Sequence, residues 1–182
     1  KINKIDKQVD YLDTIIKNVL VLDTLDAPYA NLKIENISIE NLVIQAIDLS
    51  KNKNVKTINV NKKKVSCDVV KLSIVIRNLL DNARKYAPSK RPVEINSKIQ
   101  NDTVFISVRD FGPGVDEELL KNITKAYVRG RDRSKPGFGL GLSICKKVME
   151  SHNGSLKIEN MEDGGCLFTI SWPFRMTNQK GD

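Results

Sequence analysis

The chain has 182 residues, of which 40% are hydrophobic, enough for one globular domain with its own core and an additional segment. No run approaches the ~18 consecutive apolar residues of a membrane-spanning helix, and no apolar run near the start is typical of a signal peptide. The three scattered cysteines favour reduced thiols in the cytoplasm over disulfides or a zinc site. The net charge of +8 is compatible with a nucleic acid, an anionic nucleotide or an acidic protein partner, but most of the excess is scattered lysine, so no nucleic-acid partner is expected from charge alone.

Residues 1–26 carry one apolar stripe at steps of three and four, which predicts a long amphipathic helix ending at Asp26-Ala27-Pro28. The stripe consists of Ile2, Ile5, Val9, Leu12, Ile15, Ile16, Val19, Leu22 and Leu25. A lone helix with such a stripe must bury it. We therefore expect its partner to be chain outside this sequence or a second copy.

The middle of the chain alternates between strand and helix patterns. We predict a strand over 32–39, a helix over 40–51, a strand over 55–60, a short strand ending at Cys67, and an amphipathic helix over 69–86. Asp68 is a suitable N-cap for the last of these helices, and Pro88 would stop it. The lysine run Lys62–Lys64 between the two strands is interpreted as the turn of a solvated hairpin.

The later part of the chain favours hairpins and shorter helices. We predict strands over 93–99 and 103–108, a short helix over 116–123, a mobile loop over 124–139, a helix over 140–151, and strands over 155–159 and 166–172 joined at Gly164-Gly165. This order indicates an α/β sandwich with helices on one face. The polar residues from Arg175 onward are expected to fray.

One face of the 69–86 helix carries a candidate site. Asn78, Asn82, Lys85 and Tyr86 lie at offsets zero, four, seven and eight and therefore share that face, while an apolar stripe lies opposite. An asparagine carbonyl can ligate Mg²⁺ without adding negative charge beside a triphosphate, an amine can neutralise phosphate oxygens, and an aromatic ring can lie against a base. A solvated helix face with ordinary polar residues would show the same pattern.

A second candidate follows the 103–108 strand, at Asp110-Phe111-Gly112-Pro113-Gly114. The strand delivers the carboxylate to its end, and the two glycines allow tight turns and close ligand approach. An aspartate there can accept a hydrogen bond from the exocyclic amine of adenine, whereas guanine offers an acceptor at that position. An ordinary strand-to-helix turn would use the same residues, since Asp, Gly and Pro are common in turns.

A third candidate is Gly137-Phe138-Gly139-Leu140-Gly141-Leu142, at the start of a helix. Glycines before a helix N-terminus expose amides to phosphate oxygens. The spacing matches neither the dinucleotide fingerprint nor a P-loop, so the run is a weak signal by itself.

Together these segments resemble the catalytic domain of sensor histidine kinases, within the larger group that includes gyrase-B-type and MutL-type ATPases. Residues 78–83 with Lys85-Tyr86 are similar to the N box, residues 110–114 to the G1 box, and residues 137–142 to the G2 box. The order and separation of the boxes match the family, and the similarity runs from about residue 1 to 174. The resemblance implies an α/β (α+β) two-layer sandwich of the Bergerat type, with a mixed sheet, helices on one face and a lid over the nucleotide, preceded by a long N-terminal helix.

The resemblance also implies roles for the first two boxes. Asn82, with Asn78, would ligate Mg²⁺, Lys85 would contact phosphate, and Tyr86 would lie against the adenine of ATP. Asp110 would recognise the adenine amine. The residues that would shape the base pocket are Gly112 and Gly114.

For the lid, the resemblance implies a hinge and amides that face the phosphates. These positions are Gly137, Gly139, Leu140, Gly141 and Leu142. Arg129 is similar to the arginine that steadies the γ-phosphate, and with Asn78 and Lys85 it completes the implied catalytic residues.

The implied activity is that of a protein histidine kinase, in which the γ-phosphoryl group of ATP is transferred to a histidine of the dimerisation domain and relayed to the receiver domain of a response regulator. Residues 1–27 resemble the second helix of that dimerisation hairpin, 28–174 the catalytic domain, and 175–182 a polar tail. The helix with the phosphoacceptor histidine is absent, so we expect no autophosphorylation by this part of the protein. We expect a homodimer in the parent protein, anchored in the inner or cytoplasmic membrane, and a structural role for the single histidine, His152.

Some positions depart from the family pattern, and three rival functions stay open. Thr124 and Tyr127 stand where phenylalanines are usual, and Phe138 where threonine is frequent, which affects the lid but removes no charge or metal ligand. An ATPase of the gyrase or MutL kind, the first rival, would typically carry a glutamate base where Asn78 stands. A binding module without turnover is the second, and a DNA-binding module is the third.

Overall fold

The computed structural model describes residues 32–87, 89–130 and 138–175. The strands are β1 (Ile34–Ser38), β2 (Val55–Thr57), β3 (Lys64–Asp68), β4 (Val93–Gln100), β5 (Thr103–Arg109), β6 (Ser155–Asn160) and β7 (Cys166–Pro173). The helices are α1 (Ile39–Leu49), α2 (Val69–Tyr86), α3 (Glu117–Leu120) and α4 (Gly141–Ser151). Within these ranges, no helix combines the length and apolar character required to cross a membrane.

The main sheet has five strands in the order β2-β4-β5-β7-β6. Its β2–β4 pair is parallel and the other pairs are antiparallel, so the sheet is mixed, as predicted. Alternate residues of the central strands are buried, and the register places Ile106 beside Ile170 and Val108 beside Phe168. These apolar positions form the sheet side of the core, against which the helices pack.

Helix α2 supplies much of the helical layer because its two faces differ in character. Asp68 caps its N-terminus by accepting a hydrogen bond from the amide of Lys71 at 3.0 Å. The side of α2 that faces the core is fully or almost fully buried, and it consists of Leu72, Val75, Ile76, Leu79, Leu80 and Ala83. The opposite side carries the polar residues of the first candidate site.

Strands β4 and β5 form the predicted hairpin. The turn between them places Asn101 and Asp102 at φ values of 49° and 54°, a left-handed conformation that these two residue types tolerate. The predicted hairpin around Lys62–Lys64 is wrong, because β2 pairs with β4 while β3 pairs with β1 in a separate two-stranded sheet. Local alternation indicated both strands correctly but could not reveal these distant partners.

The remaining elements follow the predictions with shifts at their ends. The short helix covers Glu117–Leu120 rather than 116–123, and residues 58–60 are not part of β2. The predicted N-terminal helix, Pro88, residues 131–137 of the predicted mobile loop and the end of the tail lie outside the described residues.

Candidate functional site

The polar face of α2 is the first part of the site. Asn78, Asn82 and Lys85 are half-buried, and Tyr86 is exposed at the end of the helix. The Lys85 ammonium lies 4.5 Å from the centre of the Tyr86 ring, so the amine and the aromatic ring form one surface. The helix therefore presents two amides, a cation and a ring along one side, as the spacing predicts.

The two asparagines differ in their surroundings. Asn78 Oδ1 accepts a hydrogen bond from Arg77 at 3.3 Å, whereas its Nδ2 is buried with no partner among the described residues. In the described part of the chain, no hydrogen bond involves the side chain of Asn82. The Asn82 amide therefore retains bonding capacity that a ligand can use, whereas the Asn78 amide has its nitrogen buried near the Cys145 thiol and its oxygen beside Arg77.

Asp81, between the two asparagines, has a structural role. Its Oδ1 accepts hydrogen bonds from the Ser50 hydroxyl and the Lys51 amide, each at 2.8 Å. The carboxylate thus joins α2 to the segment that follows α1. These two donors give Oδ1 of Asp81 a structural role, because they hold the two segments together.

The second part of the site is the loop after β5. Asp110 is 6% exposed, and its Oδ1 accepts hydrogen bonds from the amides of Gly112 at 3.0 Å and Cys166 at 3.1 Å. The amide of Asp110 in turn donates to the Cys166 carbonyl at 2.9 Å. These bonds fix the carboxylate and leave Oδ2 without a donor from the described residues, which suits a carboxylate that accepts from a ligand.

Gly112 brings the first two parts together. A Cβ at residue 112 would overlap the Cβ of Ala87 and lie 2.8 Å from its Cα. Since Ala87 directly follows α2, glycine at 112 allows the Asp110 loop to lie against the C-terminal end of the helix that carries Tyr86.

The far end of the same loop is held by Asn160. Its side chain accepts a hydrogen bond from the Val115 amide at 2.8 Å and donates to the Val115 carbonyl at 2.6 Å. Gly114 has a φ of 78°, and a Cβ there would lie 3.0 Å from the Asn160 Oδ1. Gly112 is therefore required because a side chain would not fit. Gly114 is required both for its positive φ and because a side chain would crowd Asn160.

The third part is the start of α4 with the segment before α4. The Tyr127 amide donates to the Gly139 carbonyl at 3.1 Å, and Gly139 has a φ of 73°. A Cβ at 139 would overlap the Val128 carbonyl oxygen, so residues 127–128 and Gly139 lie in direct contact. Arg129 follows this contact and is half-buried.

The N-terminus of α4 has no side-chain cap among the described residues. Leu140 is its N-cap residue and provides no side-chain acceptor, so the amides of Gly141 and Leu142 receive no cap bond. A Cβ at Gly141 would meet no atom of the described residues within 4 Å. Such uncapped amides favour a phosphate group. Gly137, the first glycine of this run, lies outside the described residues.

Helix α4 is placed beside α2 by buried contacts. The Cys145 thiol lies 3.8 Å from the Val75 carbonyl oxygen. Burial raises the pKa of Cys145 to about 12, against the smaller lowering effects of the nearby Asn78 amide and Arg77. The uncapped N-terminus of α4 therefore belongs to a helix that is packed on the α2 turn carrying Asn78.

The single histidine is structural, as expected from the sequence. His152 is fully buried, with its Nε2 accepting from the Asp68 amide at 3.1 Å and its Nδ1 2.8 Å from the Val148 carbonyl oxygen. Nδ1 therefore carries the proton, and burial lowers the pKa of the ring.

The sequence prediction missed the residues that support Asp110. Arg109, Asp163 and Asn160 join the loop after β5 to the β6–β7 turn. Only the glycine pair at 164–165 gave a local signal, because it marked that turn. The Arg109–Asp163 contact spans 54 positions of the chain and the Asn160–Val115 contact spans 45, so no local pattern indicates them.

Residues 67–176 match the model of the histidine kinase-, DNA gyrase B- and HSP90-like ATPase family. The match covers more than half of the chain. The chain therefore belongs to this family. Its described domain is an ATP-binding catalytic domain of the sensor histidine kinase type.

The similar curated proteins are sensor kinases. The chain is 31% identical over 180 residues to the sensor protein KdpD of Clostridium acetobutylicum, covering 94% of this chain and 20% of that protein. It is 31% identical over 171 residues to the sensor protein QseC of Salmonella typhimurium, covering 90% and 37%, respectively. The chain thus spans between a fifth and two fifths of the length of these relatives.

Solved structures show the same fold. The histidine kinase AdeS of Acinetobacter baumannii matches with a TM-score of 0.76 at 20% identity, covering 95% of this chain and 83% of AdeS. The nucleotide-free catalytic domain of the histidine kinase ThkA matches with a TM-score of 0.66 at 27% identity, covering 79% of this chain and 99% of that domain. These matches confirm the predicted two-layer α+β fold.

Proposed function

We propose that this domain binds Mg-ATP and transfers the γ-phosphoryl group to a histidine on a dimerisation domain, for relay to the receiver domain of a response regulator. The observation that carries the proposal is the convergence of the α2 polar face and the Asp110 loop, joined at the contact of Ala87 with Gly112. The family and the sensor-kinase relatives support the same activity.

The proposed base pocket lies between the two joined segments. Asp110 would accept from the exocyclic amine of adenine through Oδ2, and Tyr86 would lie against the ring. Gly112 and Gly114 would shape this pocket, since the first lets the loop lie against Ala87 and the second lets it lie against Asn160. Guanine would place an acceptor against the carboxylate, and we expect it to bind more weakly.

The proposed phosphate end combines fixed charge and amides. Lys85 and Arg129 would neutralise charge on the triphosphate, while Gly139, Leu140, Gly141 and Leu142 would present main-chain amides. Gly137 would contribute to the same lid. Such transfer requires positioning and charge neutralisation more than covalent chemistry by the protein.

The asparagines fit a magnesium ion that arrives with the nucleotide. No cluster of three or more His, Cys, Asp or Glu side chains that could hold a metal occurs among the described residues. Asn82 instead offers a neutral side-chain oxygen, and Asn78 Oδ1, which accepts one hydrogen bond from Arg77, has a second lone pair that could ligate the ion. When bound, the ion would supply charge neutralisation on the phosphate oxygens.

The acceptor histidine must lie outside these 182 residues, because His152 is the only histidine and both of its nitrogens are occupied. We propose residues 1–27 as the second helix of the dimerisation hairpin, 28–174 as the catalytic domain and 175–182 as a tail, in a homodimeric parent protein. A hydrolytic ATPase of the gyrase kind is less favoured, because Asn78 stands where such an enzyme would typically carry its glutamate base.

The test is phosphoryl transfer to a separately expressed dimerisation domain of the parent protein. With γ-labelled ATP and Mg²⁺, we expect an acid-labile, base-stable label on the acceptor domain and none on this chain alone. Asn82→Ala should abolish the label. A stable phosphohistidine on the isolated chain, or ATP turnover with no label on the acceptor, would contradict the proposal.

A further inference from the structure

Arg109 is the last residue of β5 and is only 8% exposed, which is unusual for a charged side chain. A buried guanidinium is stable only when its donors are satisfied. One terminal nitrogen, Nη2, donates to the Asp163 carboxylate at 2.7 Å and to the Gly164 carbonyl at 2.5 Å. The other, Nη1, donates to the carbonyl of Asp110. The planar group therefore bridges the Asp110 loop and the β6–β7 turn.

The β6–β7 turn, residues 161–165, lies directly on Asp110. Gly165 has a φ of 76°, and a Cβ there would overlap the Asp110 carbonyl oxygen and lie 2.8 Å from Asp110 Oδ1. The same Cβ would lie 2.7 Å from Arg109 Nη1. The turn thus lies so close to Asp110 and Arg109 that position 165 requires glycine.

This placement determines which oxygen of Asp110 is available. Cys166 follows the turn directly, and its amide donates to Asp110 Oδ1 at 3.1 Å. Without that donor, only the Gly112 amide would hold Oδ1, and the carboxylate could rotate about its terminal bond. Cys166 is the first residue of β7 and its carbonyl accepts from the Asp110 amide at 2.9 Å, and the turn that leads into it is held by Arg109 through the Gly164 carbonyl.

We propose that Arg109, supported by Asp163, is a positioning residue for adenine recognition, because it seats the β6–β7 turn so that the Cys166 amide orients the Asp110 carboxylate. The inference rests on the proposed contact of Asp110 with the adenine amine. Arginine is suited to this task because its fixed fork reaches two chain segments at once, whereas a lysine ammonium cannot satisfy both in one geometry.

The test compares two nucleotides that differ only in the group Asp110 would contact. Calorimetric titration with ATP and with purine riboside triphosphate, which lacks the 6-amino group, gives an affinity ratio for each variant. For the wild type we expect ATP to bind about tenfold more tightly, the worth of one hydrogen bond to a charged acceptor. The variants are Arg109→Lys and Asp163→Ala, each with thermal unfolding measured to establish that it is folded.

Arg109→Lys should bring the affinity ratio close to one, and Asp163→Ala should lower it by a smaller factor because the Gly164 carbonyl still receives the guanidinium. Asp163 is the safer change for folding, since its side chain is 64% exposed. The matched control is Glu159→Ala on β6, whose partly exposed carboxylate pairs with Lys157 at 2.7 Å and should leave the ratio unchanged.

A purely structural role would lower the unfolding temperature or the affinity for both nucleotides alike while preserving their ratio. A preserved ratio in Arg109→Lys, or in Asp163→Ala if the lysine variant does not fold, would overturn this inference but leave the proposed contact of Asp110 with adenine standing. A wild-type ratio near one would instead remove the proposed contact of Asp110 with adenine, and the inference with it.

Discussion

Ala87 and Gly112 lie in direct contact where the end of α2 meets the loop that follows β5. This contact joins the face that carries Lys85 and Tyr86 to the carboxylate of Asp110. It brings a motif on a helix and a motif after a distant strand to one place, as the proposed shared ligand requires.

Replacing Gly112 with alanine should disrupt this junction. The new Cβ would overlap the Ala87 side chain, so the loop must move away from α2. We expect a loss of about 1–3 kcal/mol in the free energy of unfolding, together with weaker ATP binding. Urea unfolding and calorimetry measure the two effects.

Gly141→Ala is the matched control for stability, because a Cβ at Gly141 meets open space among the described residues. Its free energy of unfolding should be unchanged or up to ~1 kcal/mol higher, since alanine is the better helix former. Equal destabilisation of the two variants would contradict this account of the junction.

Asp81 and Asn82 are neighbours in one motif, but mutation of Asp81 should lower mainly the stability, whereas mutation of Asn82 should lower mainly the affinity for Mg-ATP. Asp81→Ala leaves the Ser50 hydroxyl and the Lys51 amide without their acceptor. We expect it to cost about 1–3 kcal/mol of stability while the Mg-ATP affinity of the folded protein changes little.

Asn82→Ala removes a side chain that makes no hydrogen bond in the described part of the chain. Its stability should stay within ~0.5 kcal/mol of the wild type, whereas its affinity for ATP with Mg²⁺ should fall at least about tenfold. Denaturation curves and titrations of both variants check this pair. Loss of nucleotide binding in folded Asp81→Ala, with normal binding in Asn82→Ala, would reverse the proposed roles.

His152 should make the stability depend on pH. Burial lowers the pKa of its ring below the ordinary 6.5, so the unfolded chain takes up the proton first as the solution is acidified. The stabilising contribution is therefore complete above about pH 6.5 and is lost as the pH falls, by up to about 1.4 kcal/mol per pH unit.

Urea unfolding of the wild type and His152→Gln between pH 5 and 8 isolates this contribution. The variant should be less stable at pH 7.5, because glutamine does not fill the buried space of the imidazole ring, and its stability should change less with pH. Parallel pH profiles for the two proteins would rule out the proposed titration of His152.

The three thiols should react only when the domain unfolds. Cys67, Cys145 and Cys166 are buried, and burial raises the pKa values of the first two to about 12 and of the third to about 11. Since the thiolate is the reactive form, Ellman's reagent at pH 8 should label the native protein slowly and all three positions in denaturant. Rapid native labelling of Cys166 would mean that the β6–β7 turn opens readily.

The features that the sequence predicted correctly are those with local causes. Helix α2 has an N-cap and an apolar stripe, and the β4–β5 hairpin has a turn of suitable residues at Asn101-Asp102. The polar face of α2 follows from helix geometry alone. Each of these signals lies within a few residues of the structure that it predicts.

The features that it missed depend on distant partners. Strand β3 pairs with β1 across about thirty residues, and β2 with β4, so the lysine run between β2 and β3 wrongly indicated a hairpin. Arg109 shows the same limit in the site, because its partners at Asp163 and Gly164 approach it only through the order of strands in the sheet.

Calorimetric titration of the wild type and Asp110→Asn with ATP, ADP and GTP, with and without Mg²⁺, shows whether the joined motifs form an adenine-selective Mg-ATP pocket. We predict that the wild type binds ATP and ADP in preference to GTP, that Mg²⁺ strengthens ATP binding, and that binding collapses in folded Asp110→Asn. Absence of ATP binding by the folded wild type, or equal binding of ATP and GTP that the substitution leaves unchanged, would contradict the account.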